Sequence, residues 1–432
     1  MTVKQIRIAD NIRLSHIQTN KFKTGVLTLT LTLPLSKENL ALGQILPAVL
    51  RRGTERFSDM ASIHRRLDEL YAATVEIRCH RLGSNLLLSF SSEILDPAYI
   101  PDGEDVLNGV MDVIAQMLLH PKLEGNAFPQ KDVSQEIRFA CDSLHAEINN
   151  TRSYAMIRLS ELMHREDACH PTLAQLEEGI RAIDGVSLYR FYRSVLTASP
   201  LEVFYVGSAT PETLADRLLS NFRSWEGAAS HTLRLPVAEQ SAGFLSKTEQ
   251  MPVSQGKLSM GFRTGVCSSD EGCAAMIVLN ELLGGSPASK LFMQVREGMS
   301  LCYYCSSAYH KHSGILTVSA GIDPKNRDLT EKAILDQLNA LKEGRISEAE
   351  WHAAKTSLEN IYRQMYDNPF ELQVFYGNRI LFSMDETVES SRQRIARVTR
   401  EEVVALAQQI VYDTVFFIEG TQSGSEEEEY DD

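Results

Sequence analysis

The sequence predicts an α+β protein made of two tandem homologous domains, each an antiparallel sheet with helices packed on one face. Three observations predict it. Short runs alternate apolar and polar residues at period two, as half-buried strands do. Each such run leads through a polar turn into an apolar helical run. The whole order then recurs in the second half of the chain, with strands and helices in separate runs.

The first strand of the repeat is Gly25-Val-Leu-Thr-Leu-Thr-Leu-Thr-Leu33, and Gly256-Lys-Leu-Ser-Met-Gly-Phe262 repeats it 231 residues later. The helices that follow are Leu40-Ala-Leu-Gly-Gln-Ile-Leu-Pro-Ala-Val-Leu50 and Ala274-Ala-Met-Ile-Val-Leu-Asn-Glu-Leu-Leu283. Each ends at a glycine-containing corner, Arg51-Arg-Gly-Thr54 and Gly284-Gly-Ser286, as a helix C-terminus requires. The back halves correspond as well. A helix beginning near Ile183-Asp-Gly-Val leads to the strand Leu201-Glu-Val-Phe-Tyr-Val-Gly207, and one near Val398-Thr-Arg-Glu leads to Thr414-Val-Phe-Phe-Ile-Glu-Gly420.

The expected division is a first domain over residues 1–225, a linker over 226–245, a second domain over 246–422 and an acidic tail over 423–432. Apolar periodicity stops at Glu226-Gly-Ala-Ala-Ser-His-Thr232, where small residues gather. The tail carries too few apolar groups to bury and is expected to be disordered.

The chain has 432 residues, enough for each half to bury its own core, with 43% hydrophobic and 23% charged residues. Of its net charge of −14, six charges fall in Glu426–Glu429, Asp431 and Asp432. The moderately acidic body excludes a phosphate-backbone binder, which needs clustered Lys and Arg. No run reaches the ~20 apolar residues of a membrane span. The N-terminus has no apolar leader segment, so the expected address is the cytoplasm. The seven cysteines read as scattered reduced thiols; the one Cys-x-x-Cys, Cys302 with Cys305, has no second pair to complete a zinc site.

This duplicated layout resembles the insulinase/pitrilysin family, whose active members carry an inverted zinc motif, His-x-x-Glu-His, on the first helix, shortly before a Gly-Thr corner. Here that corner is Gly53-Thr54. Counting back puts Gln44 and Ala48 at the two histidine positions and Pro47 at the catalytic glutamate. Glutamine is a poor zinc donor, alanine is none, and proline takes no proton from a metal-bound water. Proline also removes a helical hydrogen bond, so this helix is expected to kink or end there. The family's third ligand is a glutamate on a later helix, for which Glu136 and Glu147 are both candidates. The resemblance therefore implies no metal and no cofactor in this chain.

A second signature of the family is an Arg-Glu at a helix end, a Gly-Leu-like turn, and a strand with Tyr seven residues after the Arg. Arg296 and Tyr303 keep that spacing within Leu291-Phe-Met-Gln-Val-Arg-Glu-Gly-Met-Ser-Leu-Cys-Tyr-Tyr304, although Gly298-Met-Ser300 replaces the usual turn. The residues read as a helix capped by Ser286, with Pro287 in its first turn, and stopped by Gly298. A strand follows in which Leu301, Tyr303 and Cys305 share a face. The resemblance implies that Arg296 and Tyr303 bind the substrate backbone and steady a developing oxyanion. Weaker matches are His170-Pro171 before Glu178-Gly179, and Gly207-Ser208 at a strand end.

The expected function is thus a non-catalytic subunit of a clam-like heterodimeric zinc metallopeptidase. Arg296 and Tyr303 would serve a peptide at the zinc of a homologous partner bearing His-x-x-Glu-His. The alternative is a zinc-less peptide-binding or scaffold protein of the same fold. His164, Glu166 and His170, and the pair His310 and His312, match no zinc spacing and read as surface residues. Gly284-Gly285 lacks the features of a nucleotide loop.

Overall fold

A computed structural model describes residues 2–101, 103–230, 233, 237–238 and 240–421. The tail 423–432, expected to be disordered, lies outside the described residues, as does part of the linker segment.

The chain forms two compact units, each built on one sheet. In unit 1 the strands are β1 (Lys4–Ala9), β2 (Ile12–Gln18), β3 (Thr24–Pro34), β4 (Glu76–Leu82), β5 (Asn85–Leu95) and β6 (Leu201–Gly207), in the order β1-β2-β6-β3-β5-β4. In unit 2 they are β7 (Leu245–Met251), β8 (Gly256–Arg263), β9 (Cys302–His310), β10 (Ile315–Ile322) and β11 (Val411–Gly420), in the order β7-β11-β8-β10-β9. Leaving out β1, the two sheets have the same topology. β2 and β6 run parallel, as do β7 and β11, and every other pairing is antiparallel. The α+β class and the internal duplication stand, with one parallel junction in each otherwise antiparallel sheet.

The caps explain where the helices start. Ser36 accepts from the Asn39 amide at 3.0 Å to open the helix Lys37–Leu50. Asp184 and Thr399 form reciprocal capping boxes at Gly185–Ala198 and Arg400–Gln409, the helices that precede β6 and β11.

Two features depart from the sequence reading. First, the units are not contiguous in sequence. Residues 145–170 belong to unit 2, where the helix Thr151–Met163 packs on β8 and β11. Residues 365–385 belong to unit 1, where the helix Pro369–Leu381 packs on β3 and β6. Division into a front and a back half therefore omits a reciprocal exchange of one helix. Second, β3 is buried along nearly its whole length, not on one face. Its threonine side is covered too: Thr28 and Thr32 are 3% and 4% exposed. The Thr28 hydroxyl lies 3.3 Å from that of Ser91, which gives a buried polar group a partner.

Glycine permits the exchange in unit 2. A Cβ at Gly261 would sit 2.2 Å from Met163 Sδ, so the side-chain-free position lets the helix Thr151–Met163 approach the sheet. Among the described residues no helix is long and apolar enough to cross a membrane.

Candidate functional site

In unit 1, the positions aligned with the zinc motif lie on the helix Lys37–Leu50. Residues 44, 47 and 48 share a helical face by their spacing. Gln44 is exposed, Pro47 buried and Ala48 half-buried. The helix does not end at Pro47, as expected, but continues to Leu50. The proline stands in the last turn, where few further hydrogen bonds remain to be lost, and its ring packs in the core.

Glu136, one candidate third ligand, is engaged by Arg52. Their side chains are 11% and 18% exposed and form an ion pair, and Arg52 Nη1 also donates to Gln135 Oε1 at 3.2 Å. Glu147, the other candidate, is exposed on the short turn Glu147–Asn149 and belongs to unit 2. The donor set does not fit zinc: an amide, a proline, a methyl group, and a carboxylate already neutralised by a guanidinium. Among the described residues there is no group of three or more His, Cys, Asp or Glu placed to hold a metal ion.

Unit 2 brings the second pair together. Arg296 lies on the π-helical segment Leu291–Gly298, a wider turn that recurs at functional sites. Ser286 does not cap this helix; it is the extended residue that closes the preceding π-helical segment Glu281–Gly285. A turn over 286–289 intervenes, with the Ser289 amide bonded to the Ser286 carbonyl at 3.0 Å. Gly284 is needed for close packing, because a Cβ there would lie 2.6 Å from the Ser307 amide nitrogen on β9. The helix ends at Gly298, but the left-handed residue of the turn is Ser300, at φ 52°. The turn is tied by Met299 N to Gln294 O at 2.9 Å and Leu301 N to Val295 O at 3.2 Å.

The strand that follows does not alternate as expected. Cys302 pairs with Ile322 and Tyr304 with Gly321, so Tyr303 is the extra residue of a β-bulge. Leu301 and Cys305 are only 8% and 4% exposed, while Tyr303 is 65% exposed and stands apart from Cys305. The bulge turns the phenol outward. Arg296 Nε donates to the Tyr303 carbonyl at 2.9 Å, and the guanidinium lies 4.5 Å over the Phe292 ring. The pair thus converges through the backbone of Tyr303, leaving the phenol in solvent. Met293 and Met299, 48% and 54% exposed, lie on the same helix and turn. Such an assembly offers hydrogen-bond donors and apolar contact to an extended peptide.

Other candidates resolve differently. His164 is only 8% exposed and stacks on the half-buried His170 with ring centroids 4.0 Å apart, so His164 is not the surface residue expected. The Ser160 carbonyl lies 2.7 Å from His164 Nδ1, which fixes that ring from its own helix. Glu166 is exposed. His310 is exposed and its Nε2 lies 3.1 Å from the Thr317 hydroxyl; His312 Nδ1 lies 3.3 Å from that of Ser268. Sequence reasoning missed Arg52, for which no local signal exists, since its partner is 84 residues away. It also missed the cations that hold Tyr304, with Arg152 4.2 Å and Lys257 5.6 Å from its ring centre.

Residues 183–358 match the family model described as peptidase M16 inactive domain. The chain is 29% identical to the "Probable inactive metalloprotease YmfF" of Bacillus subtilis, covering 95% of this chain and 96% of that protein. It is 23% identical to the "Uncharacterized zinc protease YmxG" of the same organism, over 74% and 77% of the two chains. Among solved structures, a conserved protein from Enterococcus faecalis superposes with a TM-score of 0.88 at 24% identity, covering 98% of this chain and 100% of that one. A peptidase M16 inactive domain from Pseudomonas fluorescens gives 0.80 at 14% identity, covering 99% and 100%. At those identities the structural likeness speaks for the fold alone.

Proposed function

We propose, for a chain that belongs to the insulinase/pitrilysin (peptidase M16) family without its His-x-x-Glu-His motif, a non-catalytic role as the substrate-gripping subunit of a heterodimeric zinc metallopeptidase. The partner is a homologous chain bearing that motif, the substrate a peptide, and the setting the cytoplasm. The observation that carries this reading is the contrast between two regions. The helix Lys37–Leu50 offers no metal donors at the aligned positions, whereas Arg296 and Tyr303 are held together with the phenol exposed.

The chemistry of the pair suits the role. A phenol O–H and a guanidinium donate hydrogen bonds to a peptide carbonyl and to the negative charge that grows on it during hydrolysis. The Arg296 bond to the Tyr303 carbonyl holds the guanidinium against the backbone that carries the phenol, which limits the freedom the guanidinium loses when a peptide arrives. The names of the relatives support a non-catalytic family member, and the partner's zinc belongs to the proposal. The test is reconstitution: this chain is mixed with a zinc-bearing M16 homologue encoded in the same genome, and peptide hydrolysis is followed for each chain alone and for both. Hydrolysis only by the mixture, lost with Arg296→Ala, supports the reading. A stable homodimer that ignores the homologue points to the scaffold alternative.

A further inference from the structure

The bulge that turns Tyr303 outward also does something to its neighbours. In a regular strand, residues three apart point to opposite faces. The extra residue at 303 cancels one step of that alternation, so Cys302 and Cys305 fall on the same side of β9. The two thiols are therefore neighbours on one side of the strand, close enough for each to shift the other's acidity. Cys302 is partly exposed, at the first position of a sheet-edge strand, while Cys305 behind it is 4% exposed.

The two thiols are unequal. The Cys305 hydrogen bond, together with the nearby Arg296 guanidinium and against partial burial, draws the Cys302 pKa below its usual value. Cys305 is pushed well up by the same bond and by burial. Elsewhere burial raises Cys79 to about 12 and also lifts Cys141 and Cys273. A partly exposed thiol made more acidic by its surroundings, with a buried thiol on the same side of the strand, is the arrangement of an attacking and a resolving cysteine.

We propose that Cys302 and Cys305 form a reversible dithiol–disulfide pair, with a hydroperoxide as oxidant, whose closure locks the bulge that presents Tyr303. The Cys302 thiolate attacks the distal oxygen of the hydroperoxide. The O–O bond breaks and its electron pair leaves as alkoxide or hydroxide, giving a sulfenic acid. Cys305, losing its proton, attacks the Cys302 sulfur and displaces hydroxide, which leaves as water. In sum, two thiols and one hydroperoxide yield one disulfide, one alcohol and one water, a two-electron oxidation. An external dithiol reverses it by exchange. The link spans only four residues within a strand, and a strained, partly exposed disulfide of that kind is readily reduced.

The consequence for peptide binding rests on the role proposed above for Arg296 and Tyr303. The cross-link encloses Tyr303, and it must draw the two sulfurs together to about 2.05 Å. That changes the backbone whose carbonyl Arg296 holds.

The full-length reduced chain is treated with a small excess of hydrogen peroxide, alkylated, digested and weighed by mass spectrometry. The expected product is a peptide containing Cys302 and Cys305 that is two hydrogens lighter and resists alkylation until dithiothreitol is added. In Cys305→Ser, Cys302 should be trapped by dimedone as the sulfenic acid; in Cys302→Ser, Cys305 should stay reduced. Oxidation of Cys302 no faster than that of Cys79 or Cys169, or over-oxidation without a cross-link, overturns the pair. The oxidised chain is then titrated with a fluorescein-labelled casein peptide, with an expected loss of at least about tenfold in affinity. An unchanged affinity in a chain shown to be cross-linked overturns the link to Tyr303 and leaves the dithiol chemistry standing.

Discussion

Replacing Glu136 by alanine separates a structural carboxylate from a solvated one. The substitution leaves the Arg52 guanidinium in place with its side chain 18% exposed and without its carboxylate partner. Breaking a buried ion pair from one side costs about 3–5 kcal/mol, because a charge remains desolvated. Two features reduce that figure here. Both side chains keep some contact with water, and Arg52 retains its bond to Gln135 Oε1 at 3.2 Å. The expected loss is therefore about 2–3 kcal/mol. In a unit of this size that lowers the melting midpoint by about 4–12 °C, read by scanning calorimetry. Glu136→Gln, which keeps an acceptor for Arg52, should lose less, and Arg52→Met combined with Glu136→Leu should recover most of the loss. A Glu136→Ala protein within about 0.5 kcal/mol of the parent refutes the reasoning, since that is the range of an ordinary surface substitution.

If Tyr303 serves the proposed role, Tyr303→Phe should slow peptide hydrolysis by the reconstituted pair about 10²-fold or more, through loss of one donor to the oxyanion, with no change in the sedimentation of the complex. Asp413→Ala should destabilise unit 2 by about 3–5 kcal/mol in urea unfolding. Asp413 is 0% exposed, lies 3.4 Å from Arg263 Nε, and accepts from the Thr414 hydroxyl at 2.7 Å. Gly261→Ala should cost about 1–3 kcal/mol through the clash with Met163, and Met163→Ala should relieve part of it. His16 is fully buried and its Nε2–H donates to the Ala209 carbonyl at 3.0 Å; burial, aided by Lys4 and opposed by that bond and by Glu212, holds its pKa below 6.5. The unfolded chain therefore takes up a proton that the folded chain refuses. Stability should fall as pH drops below about 6.5, and His16→Phe should flatten that part of the profile.

The repeat was legible because a sheet and its helices impose periods that survive in sequence: Gly25–Leu33 and Gly256–Phe262 fall on β3 and β8, which occupy matching places in the two sheets. The exchange of the helices Thr151–Met163 and Pro369–Leu381 was not. An apolar stripe says that a helix must be covered, but not by which sheet. The closeness of Arg296 and Tyr303 followed from their spacing of seven, whereas the direction of the phenol did not. One bulged residue shifts the alternation beyond it, and here it falls between the pairings of Cys302 with Ile322 and of Tyr304 with Gly321. Gly321 is close-packed under that ring, where a Cβ would lie 2.4 Å from Tyr304 Cε1. Pro47 misled for a similar local reason: its position in the last turn matters more than its identity. The Arg52–Glu136 ion pair carries no trace in either local segment.

The most direct measurement takes the purified chain alone, without any homologue, and determines its metal content by plasma mass spectrometry alongside hydrolysis of a peptide library. The account predicts substoichiometric zinc after brief dialysis and no cleavage products. Zinc retained at one equivalent, together with unaided digestion that a chelator stops, contradicts it.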